Sequence, residues 1–290
     1  MMAGSYLCSG WALRRTPGLT PVGMLCNATQ GMIAIFLLGI GFVWRNTLVT
    51  EAGSYILPML GIVLFYSLGQ GLVFLAQRNI DASRIVPLLG LKLPILALFN
   101  LLVLHHGFTW RQLAAIALTV LAAFVLNNAG RRIGWLNLAL VLCGCVSYCL
   151  SDTFIAISVK RMTASIYQDD LLRASAANTL IAFCLCGIAG AAAVRLGPRS
   201  FRVRHAALNS MPYALFWVPS VILFSVCIGH LGTVGGNIIQ SSRGLLAILF
   251  VQLLGMFGLY QVDGKATPEI VFRRILAAMM IIAATTLYNM

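Results

Sequence analysis

Apolar residues fall into long runs along this chain, cut by charged positions or by Gly- and Pro-containing punctuation. The runs cover about 3–13, 21–43, 54–76, 85–104, 112–126, 135–159, 171–194, 212–228, 234–257 and 271–288. Arg14-Arg15 closes the first, Trp44-Arg45 the second and Asn127-Asn128 the fifth, while Arg131-Arg132 precedes the sixth. Most runs are too long and too evenly apolar to be strands of a membrane barrel, which alternate over about ten residues. The pattern predicts an all-α integral membrane protein of about ten transmembrane helices.

The first run differs from the rest. Thirteen residues precede Arg14, enough for about 20 Å of helix against a hydrocarbon core of about 30 Å. It lacks the basic leading region and the cleavage site of a signal peptide. The expectation is a start upstream of Met1, or else a short first helix.

Composition agrees with the pattern. The chain has 290 residues, 60% hydrophobic and 9% charged, where a soluble domain carries about 25% charged residues. At about 28 residues per span and connection, that length accommodates ten spans and no soluble domain. The net charge of +13 is a topological signal in a membrane protein and does not point to nucleic acid.

Thirteen of the 20 basic residues flank odd-numbered connections: Arg14, Arg15, Arg78, Arg84, Arg131, Arg132, Arg195, Arg199, Arg202, Arg204, Lys265, Arg273 and Arg274. Arg45, Arg111, Lys160, Arg161 and Arg173 flank even ones. With ten spans, the positive-inside rule then places both termini outside.

Three features recur in the same order. Ser5-Tyr6 with Ser9 matches Ser147-Tyr148 with Ser151, Lys92 matches Arg243, and Leu113-Ala114-Ala115 matches Leu276-Ala277-Ala278. Residues 1–130 and 131–290 are thus read as two five-helix repeats. Five is odd, so such repeats insert in opposite orientations, as in many secondary transporters.

The stretch Asp81-Ala-Ser-Arg-Ile-Val-Pro-Leu-Leu-Gly-Leu-Lys92, continuing Leu-Pro-Ile-Leu-Ala97, resembles the fourth helix of EamA-type proteins of the drug/metabolite transporter superfamily. Thr109-Trp-Arg-Gln-Leu-Ala-Ala-Ile-Ala-Leu118 is similar to that family's fifth helix entry, and Asn237-Ile-Ile-Gln-Ser-Ser-Arg-Gly-Leu245 to its ninth. The resemblance implies a ten-helix inverted repeat in the cell (inner) membrane that exports or exchanges small metabolites. It places the cavity between helices 1, 3, 4, 6, 8 and 9, and both termini in the cytoplasm, opposite to the charge count. The chain departs from the family where His105-His106-Gly107 stands in place of an acidic Gly-Glu pair, and in its short first helix.

Ionisable groups inside a bilayer cost at least about 2.5–3.5 kcal/mol on insertion scales, so each marks a site or a structural pairing. Three lie well inside runs: Lys92, Asp152 and Arg243. Lys92 and Arg243 either present positive charge to an anionic or carbonyl-bearing substrate, or bind helix carbonyls and Asp152. Asp152 is either a proton-coupling carboxylate or their counter-ion. Asn237, Gln240 and Ser241 follow i, i+3, i+4 spacing and share one helix face, which requires a protein or water-filled surface, not lipid. Tyr148 and Ser151 form a similar short stripe, while Trp217 reads as packing or an interfacial anchor.

No catalytic constellation, cofactor fingerprint or metal spacing is present, so neither an enzyme nor a cofactor or metal protein is expected. Cys145 and Cys149 share a helix face, Cys184 and Cys186 do not, and all read as packing. Gly187 and Ala191 form a fragmentary small-residue face interrupted by Phe183. The leading expectation is a monomeric or homodimeric secondary transporter of a small molecule, using a coupling proton or counter-substrate. Its rivals are a non-transporting assembly subunit or receptor, and a lipid flippase that holds a phosphate with the same basic pair.

Overall fold

The computed structural model describes residues 19–39, 50–77, 79, 88–103, 107–127, 134–196, 203–241 and 268–289, together with Ser5, Cys8, Ala12 and Ile85. The helices are α1 (Leu19–Gly39), α2 (Ala52–Gln77), α3 (Lys92–Val103, preceded by a 3-10 turn at Leu89–Leu91), α4 (Trp110–Asn127), α5 (Trp135–Ser165), α6 (Leu171–Leu196), α7 (Val203–Ser241) and α8 (Pro268–Asn289). Among the described residues the chain is all-helical.

Among the described residues, four stretches are long and apolar enough to cross a membrane: Ala52–Gln77, Trp135–Ser165, Leu171–Ala193 and Leu208–Gln240. Shorter apolar helices cover Gly23–Gly39, Leu89–Phe99, Trp110–Ala122 and Ile275–Tyr288. The outward faces carry exposed Phe36, Leu57, Leu64, Ile188 and Leu223, an apolar surface that suits lipid better than water. The count of ten spans goes beyond these four: most of the first apolar run, Ser5, Cys8 and Ala12 excepted, and most of the ninth lie outside the described residues.

Local sequence accounts for the helix ends. Thr109 and Gln112 open α4 as a reciprocal capping box: the Thr109 N–H donates to Gln112 Oε1 at 2.9 Å and the Gln112 N–H to Thr109 Oγ1 at 3.4 Å. Asp170 caps α6 by accepting the Arg173 N–H at 3.1 Å.

The eighth and ninth runs are two helices that meet at a kink between their bounds: Gly232, which falls between 228 and 234, leaves helical geometry with φ 74° and ψ 175°. That region is open essentially to glycine alone, so one residue makes the break. Lys92 keeps its place inside the fourth run: Ile85 and Leu88 ahead of it are helical, a 3-10 turn covers Leu89–Leu91, and α3 continues from Lys92. Pro94 suits this local change, because a proline is accommodated in a first turn, where N–H groups have no helical partner.

Packing is antiparallel between α2 and α5. Arg161 Nη1 donates to the Ser54 carbonyl at 2.8 Å near one end, whereas Gly69 lies beside Tyr148 and Gly144 nearer the other. Helix α7 runs with α5: Tyr213 meets Phe74 and Gln70, while Val221 shares a hollow with Ile62 and Ile155. Helix α1 crosses α6 where Gly31 faces Gly187, so closely that a Cβ on Gly31 would sit 2.3 Å from the Gly187 Cα. The small-residue face of α6 therefore has its partner on α1. One apolar cluster joins α1, α2, α5, α6 and α7 through Tyr66, Phe74, Tyr148, Phe183, Tyr213, Trp217 and Phe224.

Candidate functional site

Three helices bring ionisable and amide groups together inside the bundle. Lys92 at the start of α3 places Nζ 2.5 Å from Asp152 Oδ2 on α5, and each side chain is 6% exposed. Asn237, in the arm of α7 beyond Gly232, donates from Nδ2 to the same Oδ2 at 2.7 Å and to the Thr233 carbonyl at 2.8 Å. The two N–H bonds of the amide are thereby used, one on the carboxylate and one on its own helix. A charge-assisted pair with an added amide donor offsets part of the large cost of taking both ions out of water.

Aromatic rings complete the surroundings. Lys92 Nζ lies 5.6 Å from the Tyr148 ring centroid and 5.4 Å from that of Phe224, within cation–π range. Tyr148 therefore touches the ammonium with its face, while its hydroxyl donates to Gln70 Oε1 at 2.7 Å. Gln70 Nε2 continues the chain to Tyr213 Oη at 2.8 Å. Tyr66 donates to Gln30 Oε1 at 3.2 Å, which ties the ring of α2 to α1.

A cavity of about 30 Å³ lies at this cluster, lined by Tyr66, Lys92, Tyr148, Ser151, Asp152, Ile155, Trp217, Val221, Phe224 and Gln240. Water needs about 10–15 Å³ of such space, whereas small-molecule pockets span roughly 300–1,000 Å³. The centre thus has room for a water or two. A larger hollow of about 380 Å³ lies between α1, α2 and α6, and Gln70, Ser67 and Asn27 are among its few polar walls.

The sequence-derived residues distribute as follows. Lys92, Asp152, Asn237 and Tyr148 form one connected group, and Gln240 joins it in the cavity wall. Ser241 is the last residue of α7, and its side chain lies outside the described residues, as does Arg243 altogether. Cys149 shares the face of Cys145 and donates from Sγ to the Lys92 carbonyl at 3.3 Å. Among the described residues no group of three potential metal ligands occurs.

The sequence reading missed Tyr66, Gln70, Tyr213 and Phe224, and gave Trp217 to packing. A signal existed for two of them. Tyr66 and Gln70 are i, i+4 in a run that is otherwise almost wholly apolar, and a polar amide within a span requires a partner.

No family model matches this sequence, and no curated protein matches it significantly. The fold does resemble a solved structure described as "Crystal structure of protein", with a TM-score of 0.57 and 14% sequence identity. The match covers 98% of this chain and 93% of that one, so it concerns the fold over nearly the whole length.

Proposed function

We propose that the chain is a secondary transporter that exports or exchanges a small anionic or carbonyl-bearing metabolite by alternating access. The carrying observation is the Lys92–Asp152 pair, held by Asn237 beside a small aromatic-lined cavity. An ion pair inside a helical membrane bundle is costly, and substrate or ion pathways are the usual setting in which it is retained. The pair also joins the two parts of the chain, since Lys92 lies in residues 1–130 and Asp152 in 131–290.

The reading includes ten spans in two inverted repeats of the EamA type, in the cell (inner) membrane. Helix pairing supports it. If the second and seventh runs are counterparts, and the fifth and tenth likewise, a two-fold axis brings each against its own mate. Helices α1 and α6, and α4 and α8, pack in that way. In this mechanism Asp152 holds Lys92 while the site is empty, and the substrate's negative oxygen takes over the ammonium. A proton on Asp152, or a counter-substrate, completes the exchange.

Purified protein in liposomes loaded with a metabolite mixture tests this. The expected result is selective release of an acidic or carbonyl-bearing component, lost when both Lys92 and Asp152 are neutralised. Absence of flux for every component, together with co-purification of a stable partner, would favour the assembly-subunit reading.

A further inference from the structure

We propose that Gln70 is a latch that closes the central cavity toward one end of the bundle, a role that rests on the transporter reading. Its amide is the middle of a relay: Tyr148 Oη donates to Oε1 at 2.7 Å, and Nε2 donates to Tyr213 Oη at 2.8 Å. Gln70 is 1% exposed and belongs to residues 1–130, whereas both tyrosines belong to 131–290. The relay therefore joins the same two parts of the chain that Lys92 and Asp152 join.

Position along three helices gives the latch a direction. On α2 the cavity is lined by Tyr66, and Gln70 lies one turn nearer Gln77. On α7 it is lined by Trp217, Val221 and Phe224, and Tyr213 lies one turn nearer Val203. On α5, Tyr148 is the cavity residue nearest Trp135. These three helix ends lie together, because α2 is antiparallel to both α5 and α7. The relay thus forms a layer over the cavity at the end whose connections include Arg131 and Arg132.

On its other side Gln70 lines the hollow of about 380 Å³ between α1, α2 and α6. One amide therefore stands between a roomy hollow and a narrow centre of about 30 Å³. Its removal takes one hydrogen bond from each of the Tyr148 and Tyr213 hydroxyls, and the ring of Tyr148 loses a bond that helps to hold it beside Lys92. Gln70 is in this sense a positioning residue as well as a closure.

Accessibility of the cavity tests the latch without a known substrate. Ser151→Cys places a thiol in the cavity wall, and labelling by a membrane-impermeant methanethiosulfonate is followed from each side in oriented vesicles. Peptide mass read at position 151 allows the native cysteines to stay in the full chain. Adding Gln70→Leu is expected to speed labelling from the Arg131 side at least about tenfold, as when two ordinary hydrogen bonds no longer hold a closed state. The rate from the opposite side stays within about twofold, because a side-specific bias moves only that population. Unchanged labelling, or an equal rise from both sides as general loosening gives, would overturn the latch.

Tyr213→Phe cuts only one link and is expected to give a smaller rise from the same side. It decides the question if Gln70→Leu does not fold. Failure of the transporter reading looks different: flux is then absent from the unmodified protein, whatever the labelling shows.

Discussion

Lys92 and Asp152 meet at 2.5 Å with both side chains 6% exposed, although 60 positions of sequence separate them. Removing one member leaves the other charge buried without its partner, which costs about 3–5 kcal/mol in comparable pairs. Removing both can be close to neutral.

Lys92→Met alone is therefore expected to lower stability in detergent by about 3 kcal/mol or more. Lys92→Met with Asp152→Asn should melt close to the unmodified protein. Flux in liposomes should be absent from both. A double variant that folds and still transports would remove the pair from the mechanism, while equal instability in the single and double variants would make its role structural.

Asn237 gives a finer measurement of the same site. Its Nδ2 donates to Asp152 Oδ2 and to the Thr233 carbonyl, and a hydrogen bond to a charged group contributes about 1.5–3 kcal/mol. Asn237→Leu should destabilise by about that amount in the native background and clearly less beside Asp152→Asn. Additive losses in the double-mutant cycle would mean that the two side chains are energetically independent despite the 2.7 Å contact.

Glycines 31, 187 and 232 separate two kinds of constraint. A Cβ on Gly31 would lie 2.3 Å from the Gly187 Cα, and the reverse holds for Gly187, so α1 and α6 must part to admit it. At Gly232 nothing lies within 4 Å of an added Cβ, but φ is 74° and ψ 175°. Gly232→Ala is thus expected to cost about 1–3 kcal/mol through backbone conformation alone. Gly31→Ala should exceed that cost and reduce the yield of folded protein, because overpacking forces backbone shifts. Thermal unfolding of purified variants checks both. A neutral Gly31→Ala would refute the close crossing.

Much of the fold was legible because the apolar runs are local signals. The second, third, fifth, sixth, seventh and tenth runs each correspond to a described helix, with shifts of a few residues at their ends. The gap between the eighth and ninth runs, 228 to 234, brackets the break at Gly232, but apolar patterning does not say which residue in the gap adopts a positive φ. For the site, charge inside an apolar run pointed to Lys92 and Asp152, and spacing on one helix face pointed to Asn237 and Gln240. Gln70 and Tyr213 were not found because their importance is nonlocal: 143 positions separate them, and only the packing of α2 on α7 makes them partners. Gly187 stood out as part of a small-residue face, but its mate Gly31 was hidden for the same reason, being unremarkable on its own helix.

Orientation follows from charge and helix direction together. Connections at the end where α2 finishes and α5 begins include Arg131 and Arg132, and the positive-inside rule puts such loops in the cytoplasm. Helix α8 runs away from that end: Ala277 packs with Ala122 of α4, whereas Tyr288 packs beside Gly235 and with the cluster containing Phe108. Phe108 precedes α4 and Gly235 follows the break in α7, so both belong to the opposite end. A phosphatase reporter fused after Met290 is accordingly expected to be active outside, and a fluorescent reporter that matures only in the cytoplasm to stay dark. The reverse result would mean that the basic connections face away from the cytoplasm. The Gln70 latch would then close the cavity toward the outside, and the vesicle labelling from the Arg131 side would report the external gate.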